Sequence, residues 1–258
     1  MAPMSTDTLR TELHEGWARL TLARPERRNA LNTALLAELA AALTRLDADA
    51  QVRVVVIAGA DGHFAAGADI GEIATKTTAE GRVDLRKDSW AAIRGFSKPL
   101  IAAVEGYCLG GGCELALMSD IMIVAPDAQL GLPETNLGII PGAGGAERLT
   151  ALIGRARAMR MVLSGEIIPG SLAHDWGMAA FLAEDVQGEA EDLARRLARR
   201  APLALMAAKR AVVGASESPL AGTLAATRTA FEDLLDSADK AEGIAAFGAR
   251  RHPVFTGR

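Results

Sequence analysis

Two glutamates stand apart from the other acids of the chain, most of which lie in plainly polar stretches. Glu114 follows three glycines in Gly106-Tyr-Cys-Leu-Gly-Gly-Gly-Cys-Glu114. Glu134 falls near the start of Leu132-Pro-Glu-Thr-Asn-Leu-Gly-Ile-Ile-Pro-Gly-Ala-Gly-Gly145. A carboxylate in apolar surroundings is costly unless it is paired, hydrogen-bonded or protonated, so a pair of them suits proton transfer. Each could equally cap a helix or meet an arginine such as Arg148, and spacing alone weights the two readings evenly. Gly110, Gly111 and Gly112 would cost roughly 1 kcal/mol each inside a helix. At a helix start they let a ligand approach bare backbone N–H groups. A strand, a glycine corner and a helix N-terminus carrying an acid can hold a developing negative charge and move a proton beside it.

Elements must bring these stretches together. Trp17–Leu22 alternates apolar and polar residues as a half-buried strand does, and Thr8–Leu13 pairs with it as a hairpin about Glu15-Gly16. The loop Arg24–Asn32 is broken by Pro25 and ends in a helix cap at Asn32 or Thr33. Leu35, Leu36, Leu39, Leu43 and Leu46 then recur at helical spacing. Val52–Ala58, Leu100–Val104 and Ile121–Ala125 read as strands, with a short extra one in Asp127–Gly131. Thr75–Arg82 is polar and reads as mobile. Helical periodicity resumes over Val83–Phe96, where Trp90 fits the core better than a ligand pocket.

This alternation predicts an α/β sheet with helical cover. Beyond Gly145 helical patterns dominate, over Arg148–Leu163, Glu189–Arg200, Leu203–Val213, Leu220–Leu235 and Ala238–Phe247. The last three predict an appended helical region, with breaks at Pro202 and Gly214–Pro219.

The net charge of −4 gives no footing for nucleic acid. Arg195, Arg196, Arg199 and Arg200 follow Glu189, Glu191 and Asp192, as on a solvated helix face. Cys108 and Cys113 point to a reduced compartment rather than a disulfide framework. Met1–Arg10 lacks the apolar core of a signal peptide, and no run of about 18 apolar residues is present, so the expected location is cytoplasmic. His14, His63, His174 and His252 form no ligand-like cluster, so no metal is expected. Neither glycine stretch completes G-x-G-x-x-G, and no P-loop or G-x-S-x-G elbow is present.

Taken together, Arg24–Asn32, Phe64–Asp69, Lys98–Ala103, Gly106–Asp120, Leu132–Arg148, Glu242–Phe247 and Pro253–Arg258 resemble the enoyl-CoA hydratase/isomerase (crotonase) superfamily. The resemblance implies a ββα spiral core over residues 1–197 holding an acyl-CoA site. It also implies a C-terminal helical trimerisation region over 198–258, in a homotrimer or a dimer of trimers. Its substrate is an acyl-CoA thioester, with no cofactor beyond that CoA and no nucleic-acid or membrane partner. The N–H groups of Ala68 and Gly111 match the pair that binds the thioester oxygen. Glu114 and Glu134 match the acids flanking the catalytic water, and Gly142 a glycine whose N–H lies near it. Ala66, Asp69 and Ile70 match further substrate contacts, although Asn29 and Asp69 as residue types suit turns and caps.

The chain departs from the family in two places. Gly71 stands where many relatives have Lys, so contact with the CoA phosphates falls to Arg27, Arg28 or a neighbouring subunit. Glu105 stands where Asn is common. Phe96–Ile101 and Ala201–Lys209 look most similar to a phenylacetate-pathway branch whose acyl group ends in a second carboxylate, for which Lys76, Arg82 and Arg86 are the candidate cations. The expected reaction is hydration of a trans-2-enoyl-CoA. Its rivals are double-bond isomerisation on the same scaffold, RNA binding as in some relatives, and a catalytically silent assembly subunit.

Overall fold

The computed structural model describes residues 8–217 and 220–258. The segment before Thr8, read above for a signal core, and residues 218–219 of the expected break lie outside the described residues. The main sheet runs in the order β1 (Leu9–His14), β2 (Gly16–Leu22), β3 (Val52–Gly59), β4 (Leu100–Val104), β6 (Ile121–Val124) and β9 (Phe181–Leu182). β1 and β2 form the expected antiparallel hairpin, and every later pairing within this sheet is parallel. A smaller sheet joins β5 (Tyr107–Leu109), β7 (Gln129–Gly131) and β8 (Ile168–Pro169). It is extended by parallel bridges from Cys108 to Ala65 and from Ala68 to Leu31.

Burial explains the strands. Val54, Val55, Val56 and Ile57 of β3 are at most 1% exposed, and all of β4 is buried. Each such side chain contributes about 1.5–3 kcal/mol by leaving water. α1 (Thr33–Ala48) buries Leu35, Leu36, Leu39, Leu43 and Leu46, and its N-cap is Asn32, which accepts the Leu35 N–H at 2.9 Å. It packs against α4 (Arg86–Arg94), while α9 (Val186–Ala198) lies across β2, β3, β4 and β6. Between α1 and α4 come the short helices α2 (Ile70–Ile73) and α3 (Thr78–Arg82). α5 (Gly111–Met118), α6 (Gly145–Ile153), α7 (Arg155–Ser164) and α8 (Gly170–Asp175) follow, and the chain ends in α10 (Pro202–Glu217), α11 (Leu220–Leu234) and α12 (Ala238–Gly248).

Three expectations change. The single helix expected over Arg148–Leu163 is two, α6 and α7, divided at Gly154, whose φ of 78° breaks the helical path. Thr75–Arg82 contains α3, held by a capping box between Thr77 and Glu80. The helix expected over Val83–Phe96 is confined to α4, with Trp90 partly buried against the core.

Lysines tie the C-terminal helices to the sheet. The buried Lys98 ammonium donates to the carbonyls of Leu46 (2.6 Å) and Asp49 (2.7 Å), closing the end of α1. Lys209 of α10 donates to the Lys98 carbonyl at 2.9 Å and pairs with Asp120 at 2.8 Å. The tail folds back on Asp239, which accepts the N–H groups of Thr256 and Gly257.

Candidate active site

The glycine corner is a close-packing device. Gly110 turns the chain with φ 49°, and α5 starts at Gly111. A Cβ on Gly112 would stand 2.2 Å from the Ala65 carbonyl oxygen, so only glycine lets the helix start lie on the Phe64–Asp69 segment. That segment runs beside β5 as far as Leu109, whose N–H reaches the Ala65 oxygen at 3.0 Å. The two chains then part, because Gly110 donates instead to Gly131 (2.9 Å).

Ala68 lies where they part. On its other side Leu31 donates to the Gly67 carbonyl (2.7 Å) and accepts from the Asp69 N–H (3.0 Å), which turns the N–H of Ala68 away from Leu31. A Cβ on Gly111 would come within 3.4 Å of the Ala68 nitrogen, so the two expected donors are neighbours. Neither N–H has an acceptor within the protein among the described residues. Gly111 also opens a helix, where unpaired N–H groups and the macrodipole both favour negative charge.

Glu134 reaches this point, and Glu114 lies close enough to it for their charges to interact. Glu114 is 4% exposed, and its Oε1 accepts the N–H groups of Ala143 (2.7 Å) and Gly145 (2.9 Å). Burial raises its pKa above the ordinary carboxylate value, the N–H groups of Ala143, Gly145 and Gly142 oppose the rise, and the charge of Glu147 adds to it. The cap reading of Glu114 thus holds, since it closes the start of α6. Glu134 begins a 3-10 turn, Glu134–Leu137. Its Oε1 lies 3.1 Å from where a Gly110 Cβ would stand, and its Oε2 is buried with no hydrogen-bond partner. Burial pushes its pKa up to about 7; its own N–H pulls downward and the charge of Glu114 pushes upward. The Arg148 guanidinium donates to the carbonyls of Ala143 (3.1 Å) and Gly144 (3.2 Å), bracing the loop that holds Glu114.

The other expected contacts divide. Gly142 is exposed, with open space where a side chain would go. Ile70 is 59% exposed at the start of α2. Ala66 uses its N–H on the Arg28 carbonyl (2.9 Å). Asp69 caps α2 through the Gly71 N–H (3.2 Å) and pairs with Arg24 (3.0 Å). Asn29 is fully buried in a left-handed turn and donates to the carbonyls of Ala60 (2.9 Å) and His63 (2.7 Å), as a turn residue would. Arg27 and Arg28 are exposed, and the Arg28 guanidinium rests 4.8 Å from the centre of the Tyr107 ring. Lys76 and Arg86 converge on one oxygen of Asp84, at 2.5 and 2.8 Å. Burial works against that carboxylate, but the Arg86 and Lys76 hydrogen bonds hold its pKa far below the ordinary range. Glu105 accepts from the Gln187 amide at 2.5 Å. The Arg24–Asp69 pair was not anticipated; its partners are 45 residues apart and share no local signal.

A donor pair beside two acids on this spiral defines a class, and the chain belongs to the enoyl-CoA hydratase/isomerase family, whose model matches residues 12–258. It is 46% identical to the 2,3-dehydroadipyl-CoA hydratase of Escherichia coli K12 over 93% of this chain and 94% of that protein. It is 39% identical to a probable enoyl-CoA hydratase of Mycobacterium leprae, covering 99% and 100% of the two chains. The crystal structure of an enoyl-CoA hydratase from Bacillus anthracis superposes with a TM-score of 0.92 at 34% identity, over 97% of this chain and 100% of that one.

Proposed function

We propose that the protein hydrates trans-2-enoyl-CoA thioesters to 3-hydroxyacyl-CoA. The observation that carries this reading is the adjacency of the Ala68 and Gly111 N–H groups, beside two acids of unlike surroundings. Adding water to a conjugated thioester drives negative charge onto the carbonyl oxygen. Donors fixed at that oxygen stabilise the transition state more than the ground state. Glu134, in its protonated form, gives its proton to the α-carbon from one oxygen and takes a proton from water on the other. The hydroxyl joins the β-carbon, and the acid regains its starting state. Glu114, held by backbone N–H groups, accepts a hydrogen bond from the water and aims it. The two carboxyls titrate as a pair.

No step calls on a group beyond the CoA of the substrate. Double-bond isomerisation needs one dominant acid, and the presence of two favours hydration. For the acyl group we take a dicarboxylic chain, as in the name of the E. coli relative. Lys76 and Arg86 sharing one Asp84 oxygen leave a positive charge in excess on that trio, and Arg82 lies nearby in sequence. Trimers, or dimers of trimers, assembled through residues 198–258 would cover the exposed Val212, Leu224, Phe231, Ile244 and Phe247. A cytoplasmic location fits, and among the described residues no helix is long and apolar enough to cross a membrane. The test is loss of the conjugated thioester absorbance with crotonyl-CoA, a longer enoyl-CoA and 2,3-dehydroadipyl-CoA. Activity on none of them would sink the reading, and a preference for crotonyl-CoA would remove the dicarboxylic refinement alone.

A further inference from the structure

The two oxyanion donors are not held alike. Gly111 belongs to a helix buried from its first residue. Ala68 sits in an irregular stretch with one flank open towards Gly111, so its position depends on the other flank, the Leu31 bridge. Leu31 itself ends a loop with two successive left-handed residues, Arg28 and Asn29, a conformation with no regular ladder of its own. Something must brace that loop against the Ala68 stretch.

We infer that Arg24 is a positioning residue for the Ala68 donor, cross-bracing the Leu31–Ala68 bridge from the residue before Leu31 to the residue after Ala68. One arm of its guanidinium donates to the Ala30 carbonyl at 2.6 Å, and the other to Asp69 at 3.0 Å. The Arg24 N–H is itself fixed by the Asn29 side chain at 2.9 Å. The Arg24 side chain is 13% exposed, and each of its two arms spends an N–H within the protein. A planar fork can span two acceptors at a set separation, which a lysine ammonium does not reproduce. Asp69 passes the constraint on, since its second oxygen caps α2. The assignment rests on the oxyanion reading given under Proposed function.

The test uses Arg24→Lys and Asp69→Asn in the full chain; the second keeps the Gly71 cap and loses the charge. Each is assayed with crotonyl-CoA and with crotonyl-pantetheine. Each also binds a chromophoric para-aminocinnamoyl-CoA, whose absorption moves to longer wavelength when its thioester oxygen is polarised. The expected result for Arg24→Lys is a kcat about tenfold lower on both substrates, a KM within twofold, and a smaller red shift of the bound chromophore; Asp69→Asn moves the same way by less. This is a fraction of the roughly 10²–10³ lost when a donor is removed outright. An unchanged red shift with reduced kcat would overturn the assignment. So would a rise in KM seen with crotonyl-CoA and absent with the pantetheine thioester, which would make Arg24 a phosphate contact. A wild-type protein that hydrates crotonyl-CoA yet shows no red shift would sink the oxyanion reading and this inference with it.

Discussion

The Gly110–Glu114 corner and the Leu132–Gly145 loop each deliver one glutamate to the same site, by different means. The corner is buried throughout, and its glutamate is clamped by N–H groups. The loop carries Leu137, Ile139 and Ile140 at 56%, 39% and 75% exposure, and its glutamate keeps a buried oxygen with no partner. The clamp on the first acid is built from the far end of the loop that carries the second, at Ala143 and Gly145. In the reaction proposed above, these identical side chains take opposite tasks. Desolvation raises the pKa of both, but on Glu114 several backbone donors oppose the rise, while on Glu134 the charge of Glu114 adds to it. A proton on Glu134 would sit in the less tightly held region, where a carboxyl can change state without dismantling a cap.

Removing the unlike chemistry should show the largest effect. Glu134→Gln should lower kcat by about 10³-fold and Glu114→Gln by about 10²-fold, within the range for general acid–base groups. Both should retain the circular dichroism of the wild type, because the amide that Glu114→Gln introduces still offers an oxygen to Ala143 and Gly145. Full hydration activity in Glu134→Gln would break the division of labour. Next comes the corner itself. A methyl at Gly111 would stand 3.4 Å from the Ala68 nitrogen, in the space the thioester oxygen needs. Gly111→Ala should cost about 10²-fold in kcat/KM, measured with crotonyl-CoA. A loss below threefold would show that the oxygen binds elsewhere.

Residues whose meaning is local were readable from the chain alone. The leucines of α1, the apolar runs of β3 and β4 and the cap at Asn32 all follow from periodicity and side-chain type. Glu114 and Glu134 were legible because acids stand out in glycine-rich sequence. β5, β8 and β9 span two or three residues, too short for any period to register, and the break at Gly154 hides inside a continuous helical pattern. The cross-brace from Arg24 to Asp69 and the clamp from Ala143 to Glu114 were invisible because they join residues 45 and 29 apart through geometry alone. Asp69 was matched to a substrate contact by chain position and to a cap by residue type; its hydrogen bonds show the cap and add an ion pair.

The pH dependence of catalysis sharpens the contrast further. If the working form carries the proton on Glu134, whose pKa is pushed up to about 7, kcat/KM for hydration should fall about tenfold per unit above that pH. A profile flat from pH 6 to 9 would place the proton elsewhere.

The smallest effect concerns stability, and its sign follows from the same acid. The ordinary value for Glu134 is 4.5 and the folded value about 7, so the fold holds this proton more tightly than the unfolded chain does. Below pH 4.5 both states are protonated and the side chain brings no penalty. Between 4.5 and 7 the unfolded state ionises first, and above 7 the fold carries a charge it disfavours. The loss is about 2 kcal/mol once solvent screening of a half-buried side chain is allowed for. Glu134→Gln removes that charge while keeping the shape. The variant should therefore melt about 5 °C above wild type at pH 8 and within about a degree of it at pH 4. Glu114→Gln should gain in the same direction, since burial also raises the Glu114 pKa, but by less, because it gives up charge-assisted hydrogen bonds from Ala143 and Gly145 along with the charge. Equal gains in the two variants would mean that the corner and the loop treat their acids alike.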